Sequence, residues 1–100
     1  LYAEAKSYAE AGFPAVKIRF GWGPKDGYAG MEHNLNLVRT TREAVGPGVD
    51  IMADCYMGWS MEYARRMLRL LEPLNLRWVE EPVIADDLAG YAELRALGHV

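Results

Sequence analysis

The sequence predicts an α/β fold built from parallel strand–helix repeats, and three observations predict it. Short apolar runs with strand character alternate with longer stretches of helical periodicity. The helical stretches run to about a dozen residues, enough to carry the chain back across a sheet and set the strands parallel. Acidic residues close two of the strand-like runs: Asp54 ends residues 49–54, and Glu80 with Glu81 ends residues 76–81. The carboxyl edge of a parallel sheet is where α/β folds bind their ligands.

Each element follows in order. Leu1, Ala5, Tyr8 and Ala9 fall at helical spacing, and Gly12 suits the left-handed position that ends a helix. Residues 15–20 alternate by two, with Val16, Ile18 and Phe20 on one side and Lys17 and Arg19 on the other. Residues 21–30 are rich in Gly and Pro and read as a loop. Met31, Leu35, Val38 and Val45 form the next helical stripe, stopped by Gly46, Pro47 and Gly48. The second strand spans residues 49–54. Ser60 is a good N-cap for the helix after it, with Glu62 favourable in the first turn. Met61, Ala64, Leu68 and Leu71 are that helix's buried stripe, and Pro73 ends it. The third strand spans residues 76–81. Asp86 or Asp87 caps a last helix with Leu88, Tyr91, Leu94 and Leu97 on one face, and Gly98 stops it. Three strand–helix units do not close a barrel, which typically takes about 250 residues. The helical pattern is already under way at Leu1, and the chain halts at Val100, where a further strand is due. The expectation is a piece of a larger enzyme.

Composition narrows the function. Hydrophobic residues make up 51% of the 100, enough for a single core. A net charge of −3 without a basic stripe gives no nucleic-acid footprint. No apolar run approaches the roughly 18–20 residues of a membrane span, and no signal-peptide pattern opens the chain. Cys55 is the only cysteine, which excludes an intrachain disulfide and makes a cytoplasmic setting the expectation.

The chemistry gathers at the strand ends. Lys17 and Arg19 share a strand face and project toward the barrel axis or sheet-end crevice. Two neighbouring cations repel, which favours a lysine able to take a proton at neutral pH; Arg19 stays charged and is a poor base. The same alternation also fits an ordinary edge strand with one solvated face. Asp54 and Glu80 stand one strand–helix step apart, at matched positions. Carboxylates on adjacent parallel strands lie about 5–7 Å apart at the backbone and can converge on a hard divalent cation such as magnesium. Trp22, Tyr56 and Glu81 are the candidate substrate contacts. Tyr28 either touches substrate or pins its loop, and Trp59 is expected to wall the pocket. Cys55 reads as a small packed residue, and no histidine is placed to activate it. His33 and His99 read as solvated or cap-like. Arg39, Arg42, Arg65, Arg66 and Arg69 read as solvated helix faces.

At these residues the chain resembles the enolase superfamily, in its mandelate racemase branch. The branch carries a Lys-x-Lys or Lys-x-Arg strand, an Asp strand end, then a Trp-Val/Ile-Glu-Glu-Pro strand end. Here they stand as Lys17, Ile18 and Arg19; Met52, Ala53 and Asp54; and Trp78, Val79, Glu80, Glu81 and Pro82. The triple match in order covers nearly the whole chain. The long loop at residues 21–30 and the stretch Asp54, Cys55, Tyr56 and Met57 look most like the sugar-acid dehydratases, of the rhamnonate type. The resemblance implies a modified TIM-type (β/α)7β barrel, of which residues 1–100 are part, with a separate capping domain. It implies Asp54 and Glu80 as the first two of three magnesium ligands, the third on the next strand near residue ~106. It implies magnesium-dependent dehydration of an L-rhamnonate-like aldonate through an enediolate, giving a 2-keto-3-deoxy acid. The partners implied are a small sugar acid and further copies of the full-length chain, with no nucleic acid and no membrane. Two departures stand out: Arg19 replaces a frequent second lysine, and Tyr56 replaces the Asn of a common Asp-x-Asn.

Two other readings compete. A racemase or cycloisomerase of the same superfamily uses the same metal and the same first step. A receiver-like signalling domain also places an Asp at a strand end, though its first strand ends in an acidic pair and not in Lys17, Ile18 and Arg19. By itself this chain carries two of three expected ligands, so inactivity in isolation is expected.

Overall fold

The computed structural model describes residues 1–100 as a three-stranded parallel sheet with helices between the strands. In chain order the elements are α1 (Tyr2–Glu10), β1 (Ala15–Arg19), a 3-10 turn (Pro24–Asp26), α2 (Gly27–Val45), β2 (Asp50–Asp54), α3 (Met61–Leu71), a second turn (Glu72–Leu74), β3 (Trp78–Glu80) and α4 (Leu88–Leu97). The strand order β1-β2-β3 follows the sequence, and both pairs are parallel, as βα crossovers require. No helix is long and apolar enough to cross a membrane.

The register sorts the side chains. Lys17 pairs with Met52, and Met52 with Trp78; Arg19 pairs with Asp54, and Asp54 with Glu80. Residues in one row of a parallel sheet point to one face, so these six share it. The opposite face carries Val16, Ile18, Ile51, Ala53 and Val79. There Ile51 and Ala53 are fully buried, in one apolar cluster with Leu35 and Val38 of α2 and Ala64, Met67 and Leu71 of α3. The alternation in β1 is therefore what divides core from site.

The caps obey local chemistry. Ser60 accepts the Tyr63 N–H, and Asp87 accepts the Gly90 N–H, each filling an orphan donor at a helix start. Gly46 ends α2 at φ 77°, a left-handed backbone that a side chain resists.

The structure corrects four expectations. Helix α2 begins at Gly27, inside the stretch read as a loop. Glycine disfavours helix, but a Cβ at Gly30 would come within 2.5 Å of the Asp26 Cβ, so close packing demands the residue. Strand β3 stops at Glu80 because Glu81 turns to φ 49°. Of the apolar stripe expected in α4 only Leu94 is buried; Leu88 is 76% and Leu97 45% exposed, because little packs over the ends of that helix. Arg42 is no solvated arginine. Its guanidinium donates to the carbonyls of Gly46, Val49, Leu74 and Asn75, tying the end of α2 to the start of β2 and to the turn before β3.

Candidate active site

The site lies at the carboxyl ends of the strands. Asp54 is the last residue of β2, 7% exposed. Its Oδ1 accepts the Tyr56 N–H at 2.9 Å, which orients the carboxylate and turns the chain. Glu80 ends β3 in the next register position and is half-buried. Lys17 Nζ reaches over β2 and donates to Glu80 Oε2 at 3.2 Å. The outer two strands thus send their side chains together over the middle one. The pair is exposed, and such pairs contribute about 0–1 kcal/mol to stability, so its importance is spatial: it marks where the face converges. The strand pattern sets Lys17 beside a cation alone, and the structure adds an anion at its ammonium.

Arg19 has no carboxylate partner. Its guanidinium lies 5.0 Å from the centre of the Tyr56 ring, a cation–π contact. Tyr56 itself has φ 51°, Met57 φ 57° and Glu81 φ 49°. Left-handed backbone at non-glycine residues costs of order 1–3 kcal/mol each and collects at functional rims. Cross-loop hydrogen bonds hold these turns: Cys55 N–H donates to Glu80 O at 2.9 Å, Met57 N–H to Glu81 O at 2.7 Å, and Trp59 N–H to Pro82 O at 2.9 Å. The ladder between β2 and β3 so extends into the loops and locks them together.

Beyond the ends of β1 and β2 opens a cleft of about 510 Å³ lined by Arg19, Trp22, Lys25, Asp26, Tyr56 and Gly58. That volume lies within the usual range of small-ligand sites, about 300–1,000 Å³. Trp22 and Tyr56 are both part of this wall, and Trp22 stacks on His33 with ring centres 4.7 Å apart. The other residues weighed play other parts. The Glu81 charge acts on Tyr91 of α4, whose phenol is pushed up by burial first and by Glu81 next. Trp59 is a core residue, packed between Phe20 and Tyr63. Tyr28 sits on α2, accepting a hydrogen bond from Arg66 at 2.9 Å. Cys55 is buried, and desolvation followed by the Asp54 and Glu80 charges pushes its thiol up, away from thiolate chemistry. Sequence reading missed Asn34, a buried side chain that holds the Trp22 backbone.

Asp54 and Glu80 fit a hard cation. Both donors are carboxylate oxygens on one sheet face, in adjacent register positions, and magnesium takes one or two carboxylates with waters and substrate. No third acidic, His or Cys side chain of this chain joins them.

Known proteins share this sequence pattern and fold. Residues 1–100 match the enolase C-terminal domain-like family. The L-rhamnonate dehydratase of Saccharopolyspora erythraea is 41% identical over 86 residues, 86% of this chain and 22% of that protein. The crystal structure of the 3,6-anhydro-D-galactonate cycloisomerase from Zobellia galactanivorans superposes with a TM-score of 0.84 at 32% identity, over 95% of this chain and 25% of that one. That of L-talarate dehydratase from Polaromonas sp. JS666, complexed with Mg and L-glucarate, gives 0.81 at 33% identity, over 97% and 25%. This chain therefore spans a quarter or less of each relative. A match along its whole length, with sequence and fold in agreement, makes the chain a member of the enolase C-terminal domain-like family, in the mandelate racemase branch.

Proposed function

We propose that this chain is the part of a barrel domain that carries the first two metal ligands of a magnesium-dependent sugar-acid dehydratase. The substrate is an L-rhamnonate-like aldonate, and the product a 2-keto-3-deoxy acid. One observation carries the reading: Lys17 meets Glu80 at 3.2 Å above β2, on the face and at the rim where Asp54 also ends its strand. A cation able to move a proton and two carboxylates able to hold a metal thus share one rim.

Each residue has a role that follows from its chemistry. Asp54 and Glu80 hold magnesium. When bound, the ion supplies positive charge that offsets the substrate carboxylate and the charge that develops as the neighbouring carbon loses its proton. Lys17 carries the amine at this rim and, in its free-base form, is assigned the proton at that carbon. Arg19 keeps its charge and orients the substrate by its carboxylate or hydroxyls. Trp22 and Tyr56 wall the cleft, where a polyol chain needs flat apolar surface beside polar groups. Glu81, whose left-handed backbone ends β3, shapes the turn after Glu80 and is a candidate substrate contact.

A panel of aldonic acids, incubated with the full-length protein and magnesium and followed by mass spectrometry, tests the proposal. Loss of one water from an L-rhamnonate-like acid is the expected result. Absence of that loss across the panel excludes dehydration of those acids. The likeness to a cycloisomerase supports a second reading, with the same initial proton removal. A rearranged product of unchanged mass would mark it. Family membership removes the receiver-like reading.

A further inference from the structure

Asn34 lies within α2 and has no exposed surface. Its side-chain amide takes both backbone groups of one residue across the loop: Nδ2 donates to Trp22 O at 2.9 Å, and the Trp22 N–H donates to Oδ1 at 3.4 Å. The other Nδ2 hydrogen goes to the Tyr63 hydroxyl of α3 at 3.0 Å. A backbone N–H only donates and a carbonyl only accepts, so this amide has one workable orientation. Asn34 thus grips Trp22 as a paired strand would.

The grip falls between two glycines. Trp22 stands between Gly21 and Gly23, residues with wide backbone freedom. Three contacts reinforce the hold. Trp22 stacks on His33 of α2. Gly23 N–H donates to Asp26 Oδ2 at 2.9 Å. The bare Cα of Gly30 admits the loop, since a Cβ there would lie 3.2 Å from the Trp22 Cβ. The far side of the loop touches the neighbouring rim: a Cβ at Gly23 would lie 3.1 Å from Gly58 O. The segment that forms one wall of the cleft is therefore set by a side chain that never reaches the cleft.

We infer that Asn34 is a positioning residue, which fixes the loop between β1 and α2 as one wall of the substrate cleft. The inference rests on the reading of that cleft as a sugar-acid site. A wall contacts substrate before and during reaction alike, so its displacement weakens binding more than turnover.

The test uses the full-length protein with two readouts, backbone hydrogen exchange and steady-state kinetics. In Asn34→Ala, exchange across residues 21–26 accelerates while β2 keeps its protection. KM for the dehydrated acid rises about ten-fold, with kcat held within about three-fold. Because Asn34 is buried, Gly30→Ala displaces the same loop by another route, and the same pattern is expected. Tyr63→Phe removes only the bond from α2 to α3 and leaves loop exchange at the wild-type rate. Equal acceleration in Tyr63→Phe would mean a general loosening of α2 and overturn the assignment. So would wild-type exchange in both loop variants, faster exchange with unmoved KM, or a fall in kcat at constant KM. A wild-type protein that dehydrates no acid of the panel fails the functional reading and the positioning role with it. A wild type that turns over, with unmoved KM in folded variants, fails the positioning role alone.

Discussion

At the scale of residues, Glu80 meets two demands with one carboxylate. It accepts from Lys17 and is assigned to a metal. The two roles separate by substitution. A cation that binds only the folded state raises the melting temperature, so magnesium should stabilise the wild-type protein. Glu80→Gln and Asp54→Asn each remove a charged oxygen donor. Both should abolish that thermal shift and raise the magnesium needed for half-maximal activity by at least about ten-fold, the scale at which even outer partners of metal ligands count. Lys17→Met should keep the thermal shift and lose turnover. A melting curve with and without magnesium, on all three variants, reads the difference; a retained shift in both carboxylate variants would remove the metal from this rim. Asp54 and Glu80 were legible in the sequence because each closes an apolar run and each is followed by a turn. Asn34 was not. A polar residue inside a helical pattern reads as solvated until the loop before the helix folds back over it, and no local signal announces that covering. Arg42 hid for the same reason: one of two arginines on α2, set apart only by four carbonyls from the turn after its own helix and the turn before β3.

At the scale of elements, capping and crossover ties decide how well each unit holds the rim. Ser60→Ala removes the acceptor for the Tyr63 N–H at the start of α3. It should cost about 1 kcal/mol, the usual value of an N-cap side chain, measured by chemical denaturation. Arg42→Met keeps the apolar stem and loses every donor to the four carbonyls. Hydrogen bonds from a charged donor are individually stronger than neutral ones, and partly buried carbonyls are left without partners, so about 2 kcal/mol or more is expected. The loss should show as faster hydrogen exchange at the start of β2 and in the turn before β3, with the strand ends at Asp54 and Glu80 affected less. These two cases also show which element features a sequence carries. A cap is local, and Ser60 followed by Glu62 marks the start of α3 from the chain's own adjacent residues. The start of α2 is not local: Gly27 and Gly30 argue against helix by propensity, and only the packing of Asp26 and Trp22 against Gly30 shows why a glycine stands inside it. The end of β3 turns on the left-handed backbone at Glu81, which nothing in its side chain favours.

At the scale of the whole molecule, the sheet is covered on one face and open on the other. The open face carries Lys17, Arg19, Met52, Asp54, Trp78 and Glu80, and Trp78 is 46% exposed. Both outer strands, β1 and β3, also present unpaired backbone edges. In a closed barrel of the family fold, neighbouring strands would pair those edges and the open face would become the packed interior. Three units by themselves leave the edges free, and free edges template association. Residues 1–100 produced as a separate polypeptide should therefore self-associate as concentration rises, visible by light scattering, while the full-length protein scatters independently of concentration in the same range. The separate polypeptide should also give no water loss from the aldonic acids proposed as substrates of the full-length protein, because two carboxylates without the rest of their shell do not hold a reactive geometry. A monodisperse, dehydrating 100-residue polypeptide would show that the rim is complete within these three units, and the barrel would then be support for a site already whole.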